Sequence, residues 1–238
     1  MPVNSLRALL QFATIIPLGK LQDLSVFARR LYLYPVAGYV IGGFAALTVW
    51  KVGHPALAGA IALMLVLILS GFHHFDGLLD LGDALMAQGN REKRIQALTD
   101  RQVGTGGVGL GFVVSLLSYG ALLSIPSPSV AILSAEVCAK IAMAGMTIFG
   151  TPFKDGTHAF LHRFTRPWFI GPALLFFLPL LLFLRWDQLL ILAMVTLGVL
   201  VVIRSLSLHL FGGVNGDVVG ATNEIVRSLT LVALALHL

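Results

Sequence analysis

Long apolar runs separated by short polar loops dominate this chain. Runs at 33–50, 55–72, 107–124, 129–149, 167–184, 187–204 and 221–238 each approach the roughly 20 residues that an α-helix needs to cross the hydrocarbon core. The pattern predicts an all-α, polytopic membrane helix bundle of about seven spans, with about six to eight as the range it allows. A shorter stretch, Leu6 to Leu18, breaks at Pro17 and is too short to cross, so it predicts an N-terminal interfacial or re-entrant helix. Glu224 and Arg227 interrupt the last run. No repeat or low-complexity linker divides the chain, and residues 1–238 are expected to form one integral membrane domain.

Composition agrees with this pattern. The chain is 57% hydrophobic and 11% charged, with a mean hydropathy of +0.90, which excludes an ordinary soluble domain. The net charge of +5 does not call for nucleic acid, because the basic residues sit in short loops beside apolar runs and there set topology. With seven spans, 12 of the 16 Lys and Arg residues fall on one side, and only Lys51 and Arg185 on the other. The positive-inside rule makes the first side cytoplasmic, in a chain expected in the cell membrane. The N-terminus lacks the charged start, apolar run and cleavage site of a signal peptide, so insertion is expected to rely on the spans. Cys138 is the single cysteine and lies in an apolar run, which argues against disulfide or redox chemistry.

The acids are distributed in a way that topology does not require. Asp23, Asp76, Asp80, Asp83, Glu92, Asp100, Asp155 and Asp217 all fall on the predicted cytoplasmic side, and only Asp187 falls outside. Carboxylates contribute little to orientation, so an active site facing the cytoplasm is the better cause. Asp76, Asp80 and Asp83 are spaced i, i+4 and i+7, which places three carboxylates on one helix face. Their mutual repulsion predicts a cation among them, and an all-oxygen donor set suits Mg²⁺, Mn²⁺ or Ca²⁺ rather than zinc. The alternative is a solvated acidic stripe, although no Lys or Glu is mixed into residues 76–90.

Other segments join this side. His74, two residues before Asp76, is a candidate for orienting a carboxylate or binding phosphate, or else a plain interfacial histidine. Asp100 precedes Gly104-Thr105-Gly106-Gly107, which opens a span. Free N–H groups there would favour a phosphate, and close helix packing through small residues explains the glycines equally well. A second glycine-rich stretch, Phe211 to Glu224, is read as a loop in which Asp217 completes a metal shell and Asn215, Thr222 and Asn223 are candidates to hold phosphate or ribose. Glu136 and Lys140 lie i, i+4 inside a span, marking either a pathway or a structural pair. Lys154, His158, His162, Arg163 and Arg166 are expected on the same side, suited to phosphate but equally explained by topology.

The run His74-Phe75-Asp76-Gly77-Leu78-Leu79-Asp80-Leu81-Gly82-Asp83, followed by Asp100 and Gly104-Thr105-Gly106-Gly107, resembles the cobalamin synthase (adenosylcobinamide-GDP ribazoletransferase) family. The run from Gly212 through Gly216-Asp217 to Gly220-Ala221, Ile15-Ile16-Pro17 and Tyr34-Pro35-Val36-Ala37-Gly38 are similar too, so the likeness covers nearly the whole chain. Ala84 stands where the family usually has Gly, and Lys140 where Arg is common; neither change removes a carboxylate. The resemblance implies a membrane enzyme that joins adenosylcobinamide-GDP to α-ribazole or its 5′-phosphate with Mg²⁺ and releases GMP. On this reading Asp76, Asp80 and Asp83 are catalytic, the same three with Asp217 hold the metal, and His74, Asp100, Gly104, Thr105, Lys140 and Asn215 bind substrate. Lipid is the surrounding partner, no nucleic acid is expected, and homo-oligomerisation is left open. A CDP-alcohol phosphotransferase would show further aspartates after an Ala-Arg pair, which are missing here. A cation transporter would place carboxylates near midspan on several helices or show repeated halves.

Overall fold

The computed structural model describes residues 2–237 and is helical throughout, without a strand among the described residues. In chain order the helices are α1 (Pro2–Ala13), α2 (Leu24–Ala28), α3 (Tyr34–Val49), α4 (Pro55–Leu69), α5 (His73–Met86), α6 (Arg91–Leu98), α7 (Thr105–Ser124), α8 (Pro128–Phe149), α9 (Thr157–Arg163), α10 (Ile170–Leu174), α11 (Trp186–Phe211) and α12 (Gly216–His237). Five elements are long and apolar enough to cross a membrane, and two sharply bent helix pairs raise the number to as many as seven. The chain is a polytopic helical membrane bundle.

The central element is α8, with 89% of its apolar window buried, against 22% for α11, which presents most of its surface outward. Helix α3 lies along α8 through Gly38 and Gly42. A Cβ at Gly38 would come within 2.7 Å of the Glu136 carbonyl oxygen, so these small residues set the close approach expected between membrane helices. Exposed Leu, Val and Phe residues on α7 and α11 form the lipid-facing surface, since apolar side chains need no hiding from hydrocarbon.

Four expectations need correction. The run at 167–184 is not one regular span: a 3₁₀ turn at Pro167–Phe169 and a 3₁₀ stretch at Leu175–Leu182 flank the short α10. Pro172 and Pro179 supply no backbone N–H there, and the latter lies inside the 3₁₀ stretch. Helix α11 continues to Phe211, well past the expected end at 204. Helix α12 begins at Gly216 rather than 221, so much of the stretch read as a glycine-rich loop is helix; Leu238, the expected end of that span, lies outside the described residues. Finally, α1 ends at Ala13 and packs its Leu9 and Ala13 into the core beside Phe27 and Tyr34.

The bend that matters for function lies between α4 and α5. Gly71 and Phe72 both take left-handed backbone conformations, with φ of 63° and 57°, and the chain turns by 92°. For a non-glycine such as Phe72 this conformation costs about 1–2 kcal/mol. The result is that α5 leaves the direction of the span and lies across one end of the bundle, packed against α7 and α12.

Candidate active site

Helix α5 carries the three aspartates. Its buried face holds Gly77, Leu78, Leu81 and Gly82, while Asp76 is exposed and Asp80 and Asp83 are half-buried along the opposite edge. At Gly77 the helix touches the first turn of α12. A Cβ built on Gly77 would lie 2.5 Å from the Asp217 carbonyl oxygen and 2.9 Å from its Cα. Only a residue without a side chain permits this approach, and it brings Asp217 beside the aspartate helix from the far end of the sequence.

The electrostatics follow from that meeting. Burial first, and then the negative charges of Asp217, Asp76 and Asp83, push the Asp80 carboxyl up to about 7, against the opposing pull of Lys154. Lys154 owes its place to a short backbone tether: Val214 donates to the Thr151 carbonyl at 2.8 Å, and Pro152 bridges Val214. This tether joins the loop after α8 to the turn before α12. The negative cluster is undercompensated, which is the condition a hard cation relieves. Among the described residues, no three Asp, Glu, His or Cys side chains converge closely enough to form a finished ligand set.

Asp83 has a further task. Its two oxygens accept from the backbone N–H groups of Gly104, at 2.6 Å, and Gly107, at 2.8 Å. It therefore caps α7, and a protein carboxylate stands where a substrate phosphate was one expectation. The glycines also pack: a Cβ at Gly106 would strike the Gly82 carbonyl at 2.8 Å, and one at Gly107 the Leu79 carbonyl at 2.6 Å. Asp100 accepts from Gln102 and lines an open groove of about 410 Å³ with Asp83 and Gly104, beside the exposed Thr105.

A cavity of about 510 Å³ opens on the other side of Asp76. Asp76 and Asp217 line it together with His73, His74, His158 and Tyr34. Asn215 holds Asp217 by donating from Nδ2 to its carboxylate at 2.5 Å, while the Asn215 Oδ1 caps α12 at Val218. His74 is buried, and its Nδ1 has no partner. Burial, followed by the charges of Lys140, Arg227 and His73, holds its pKa well below the usual imidazole range, so it is neutral.

Lys140 does not reach the cavity. Its ammonium lies inside the bundle, donating to Asn223 at 2.7 Å and to Glu136 at 3.3 Å. Arg227 completes the cluster by pairing with Glu136 at 2.9 Å and with Glu224. Two acids and two bases thus neutralise one another between α8 and α12, as buried membrane charges must. Thr222 and Asn223, candidates to hold phosphate or ribose, are fully buried in α12 and bonded within the protein. The sequence signal for Arg227 is the Glu224–Arg227 spacing of i, i+3 in an apolar run, which does not by itself point to Glu136. The cavity residue Thr147 offers no comparable signal.

Comparison with known proteins adds the last finding. A family model described as cobalamin-5-phosphate synthase matches residues 5–235. A relative from Halorubrum lacusprofundi, named adenosylcobinamide-GDP ribazoletransferase, is 35% identical, covering 98% of this chain and 97% of the relative. Relatives of the same name from Methanosarcina barkeri and Deinococcus radiodurans are 31% and 35% identical, covering 95% and 96% of this chain and 90% and 84% of theirs. No solved structure matches.

Proposed function

Because the chain belongs to the cobalamin-5-phosphate synthase family, we propose that it joins adenosylcobinamide-GDP to α-ribazole or α-ribazole 5′-phosphate, yielding adenosylcobalamin or its 5′-phosphate and GMP. The observation that carries this reading is the contact at Gly77, which sets Asp217 beside the aspartate helix at the wall of one cavity. In the reaction a ribose hydroxyl oxygen forms a bond to the cobinamide-side phosphorus. The pyrophosphate P–O bond to GMP breaks, and its electron pair leaves with GMP. The chemistry requires alignment and charge compensation more than a covalent intermediate.

The residues fit these needs. Asp76, alone of the three helix aspartates in lining the cavity, is the group assigned to accept the hydroxyl proton. Asp80, Asp83 and Asp217 would hold Mg²⁺ together with substrate phosphate oxygens, since these side chains do not form a finished ligand set by themselves, which leaves Asp76 as the base; Asp83 keeps lone pairs free beyond its two backbone bonds. When bound, Mg²⁺ would neutralise the pyrophosphate and the departing GMP. Lys154, whose charge is felt by both Asp80 and Asp217, adds a cation on the phosphate path. The groove at Asp83, Asp100, Gly104 and Thr105 is assigned to the nucleotide half of the activated substrate. Asn215 orients Asp217, and Lys140 supports the floor from within the bundle.

Residues 1–238 would then be one transferase domain in the cell membrane with its site on the cytoplasmic side. Labelling of an Asn90→Cys variant by an impermeant thiol reagent in intact cells would contradict that side. The activity is tested by incubating purified protein with adenosylcobinamide-GDP, α-ribazole and Mg²⁺ and detecting products by mass. Adenosylcobalamin and GMP in equal amounts are expected; no joined product would overturn the reading.

A further inference from the structure

Helix α9 contributes Thr157, His158 and Leu161 to the lining of the cavity that Asp76 and Asp217 share, and His158 carries a buried atom without a partner among the described residues. His158 is 4% exposed. Its Nε2 lies 2.9 Å from the Gly150 carbonyl oxygen. A carbonyl can only accept, so Nε2 carries the proton and Nδ1 presents a lone pair. That Nδ1 is buried without a partner among the described residues. Burial, with a smaller push from neighbouring His162, lowers the imidazole to about 4, so the ring stays neutral at working pH and the lone pair stays available. A buried acceptor left empty costs stability, which is why such groups in native proteins generally have partners. Because His158 is among the residues that line the cavity, a hydrogen-bond donor bound there is the partner that this lone pair calls for.

The size and lining of the cavity narrow the choice. At about 510 Å³ it lies within the range of pockets that enclose small organic ligands. That volume accommodates a nucleoside. Phe12, Met143, Leu161 and Val219 supply apolar walls, suited to a flat uncharged heteroaromatic base. The acids Asp76 and Asp217 line the same cavity. His158 thus shares one cavity with the two carboxylates.

We propose that this cavity seats the nucleoside acceptor, and that His158 Nδ1 accepts a hydrogen bond from one of its ribose hydroxyls, acting as a positioning and specificity residue. The inference rests on the transferase reading above and assigns the nucleoside half of the reaction to α9. No proton is transferred to His158; it fixes the sugar while the carboxylate wall handles the hydroxyl proton.

The test separates this inference from the reading beneath it. Equilibrium binding of α-ribazole alone to purified wild-type protein needs no turnover, so it reports on the cavity even if no product forms. His158→Phe keeps a flat ring and removes the acceptor, and His158→Gln keeps one donor and one acceptor. The Phe variant is expected to bind α-ribazole about 10-fold more weakly, the scale of one lost hydrogen bond, with KM for adenosylcobinamide-GDP unchanged and the Gln variant recovering part of the loss. Unchanged α-ribazole affinity in folded His158→Phe, or equal weakening toward both substrates, overturns the proposal. If His158→Phe does not fold, deoxy analogues of α-ribazole on wild-type protein decide. Removal of one particular hydroxyl must weaken binding by a similar factor, and equal binding of all analogues overturns the assignment.

Discussion

Replacing Gly77 by alanine tests whether the α5–α12 contact sets the geometry of the site. The new Cβ would lie 2.5 Å from the Asp217 carbonyl oxygen and 2.9 Å from its Cα, where ordinary contacts are 3.4–4 Å. Both neighbours are backbone, so no side chain can swing aside. Relief requires α5 and the start of α12 to part by about 1 Å, because close-packed elements transmit such strain rather than absorb it. A displacement of that size in a reacting constellation costs about 10²-fold in rate. Overpacking adds about 1–3 kcal/mol of destabilisation, offset in part by the roughly 0.5–1 kcal/mol that alanine gains over glycine within a helix. Turnover should be measured beside thermal unfolding in detergent, with Gly120→Ala as the control, since nothing lies within 4 Å of a Cβ at that position on α7. The control should keep wild-type turnover. If folded Gly77→Ala retains turnover within about threefold of wild type, the contact does not organise the site and the reasoning fails.

Three other predictions follow from the same geometry. Arg227→Ala leaves Glu136 and Glu224 facing a single ammonium inside the bundle and should cost about 3–5 kcal/mol; a loss below about 1 kcal/mol by thermal or denaturant unfolding would contradict a closed, neutral cluster. Asp83→Asn removes the charge and one acceptor from the cap on α7 and should lower stability by about 1–2 kcal/mol, whereas Asp76→Asn, which loses no such bonds, should not; equal melting temperatures for the two would remove the cap from the account. With its carboxyl raised to about 7, Asp80 keeps its proton in the fold where the unfolded chain has lost it, so cation-free protein should gain stability as pH falls through about 7 toward the ordinary carboxylate range and lose it as pH rises. Mg²⁺ should raise the melting temperature most on the alkaline side of that window and Asp80→Asn should flatten the pH dependence; a flat wild-type profile would count against the charge cluster.

The spans were legible where one residue pattern decides the structure. Helices α3, α7 and α8 start and stop within two residues of their apolar runs, because hydropathy and helical hydrogen bonding agree there. The stretch at 167–184 is as apolar as the others, and only its prolines betray the irregular backbone. The early start of α12 is hidden by glycines that look like a loop, and Asn215, a residue type equally suited to binding substrate, serves as its cap. The aspartate face on α5 was readable from its i, i+4, i+7 spacing. Its partners were not, because the Gly77–Asp217 contact, the Asp83 cap on Gly104 and Gly107, and the joining of Glu136 to Arg227 all link residues that meet only through packing. The same holds for His158: its sequence neighbours suggest a basic loop, and only the Gly150 bond and the empty Nδ1 distinguish it.

The claim that two distant segments act as one site is met most directly by Mg²⁺ titration of turnover in Asp80→Asn, Asp217→Asn and the double variant. Residues that serve one function together lose it non-additively. Each single variant should therefore need more Mg²⁺ and lose most activity, and the double variant should fall far less than the product of the two single losses. Losses that multiply, with the Mg²⁺ requirement of Asp217→Asn unchanged, would contradict the shared site.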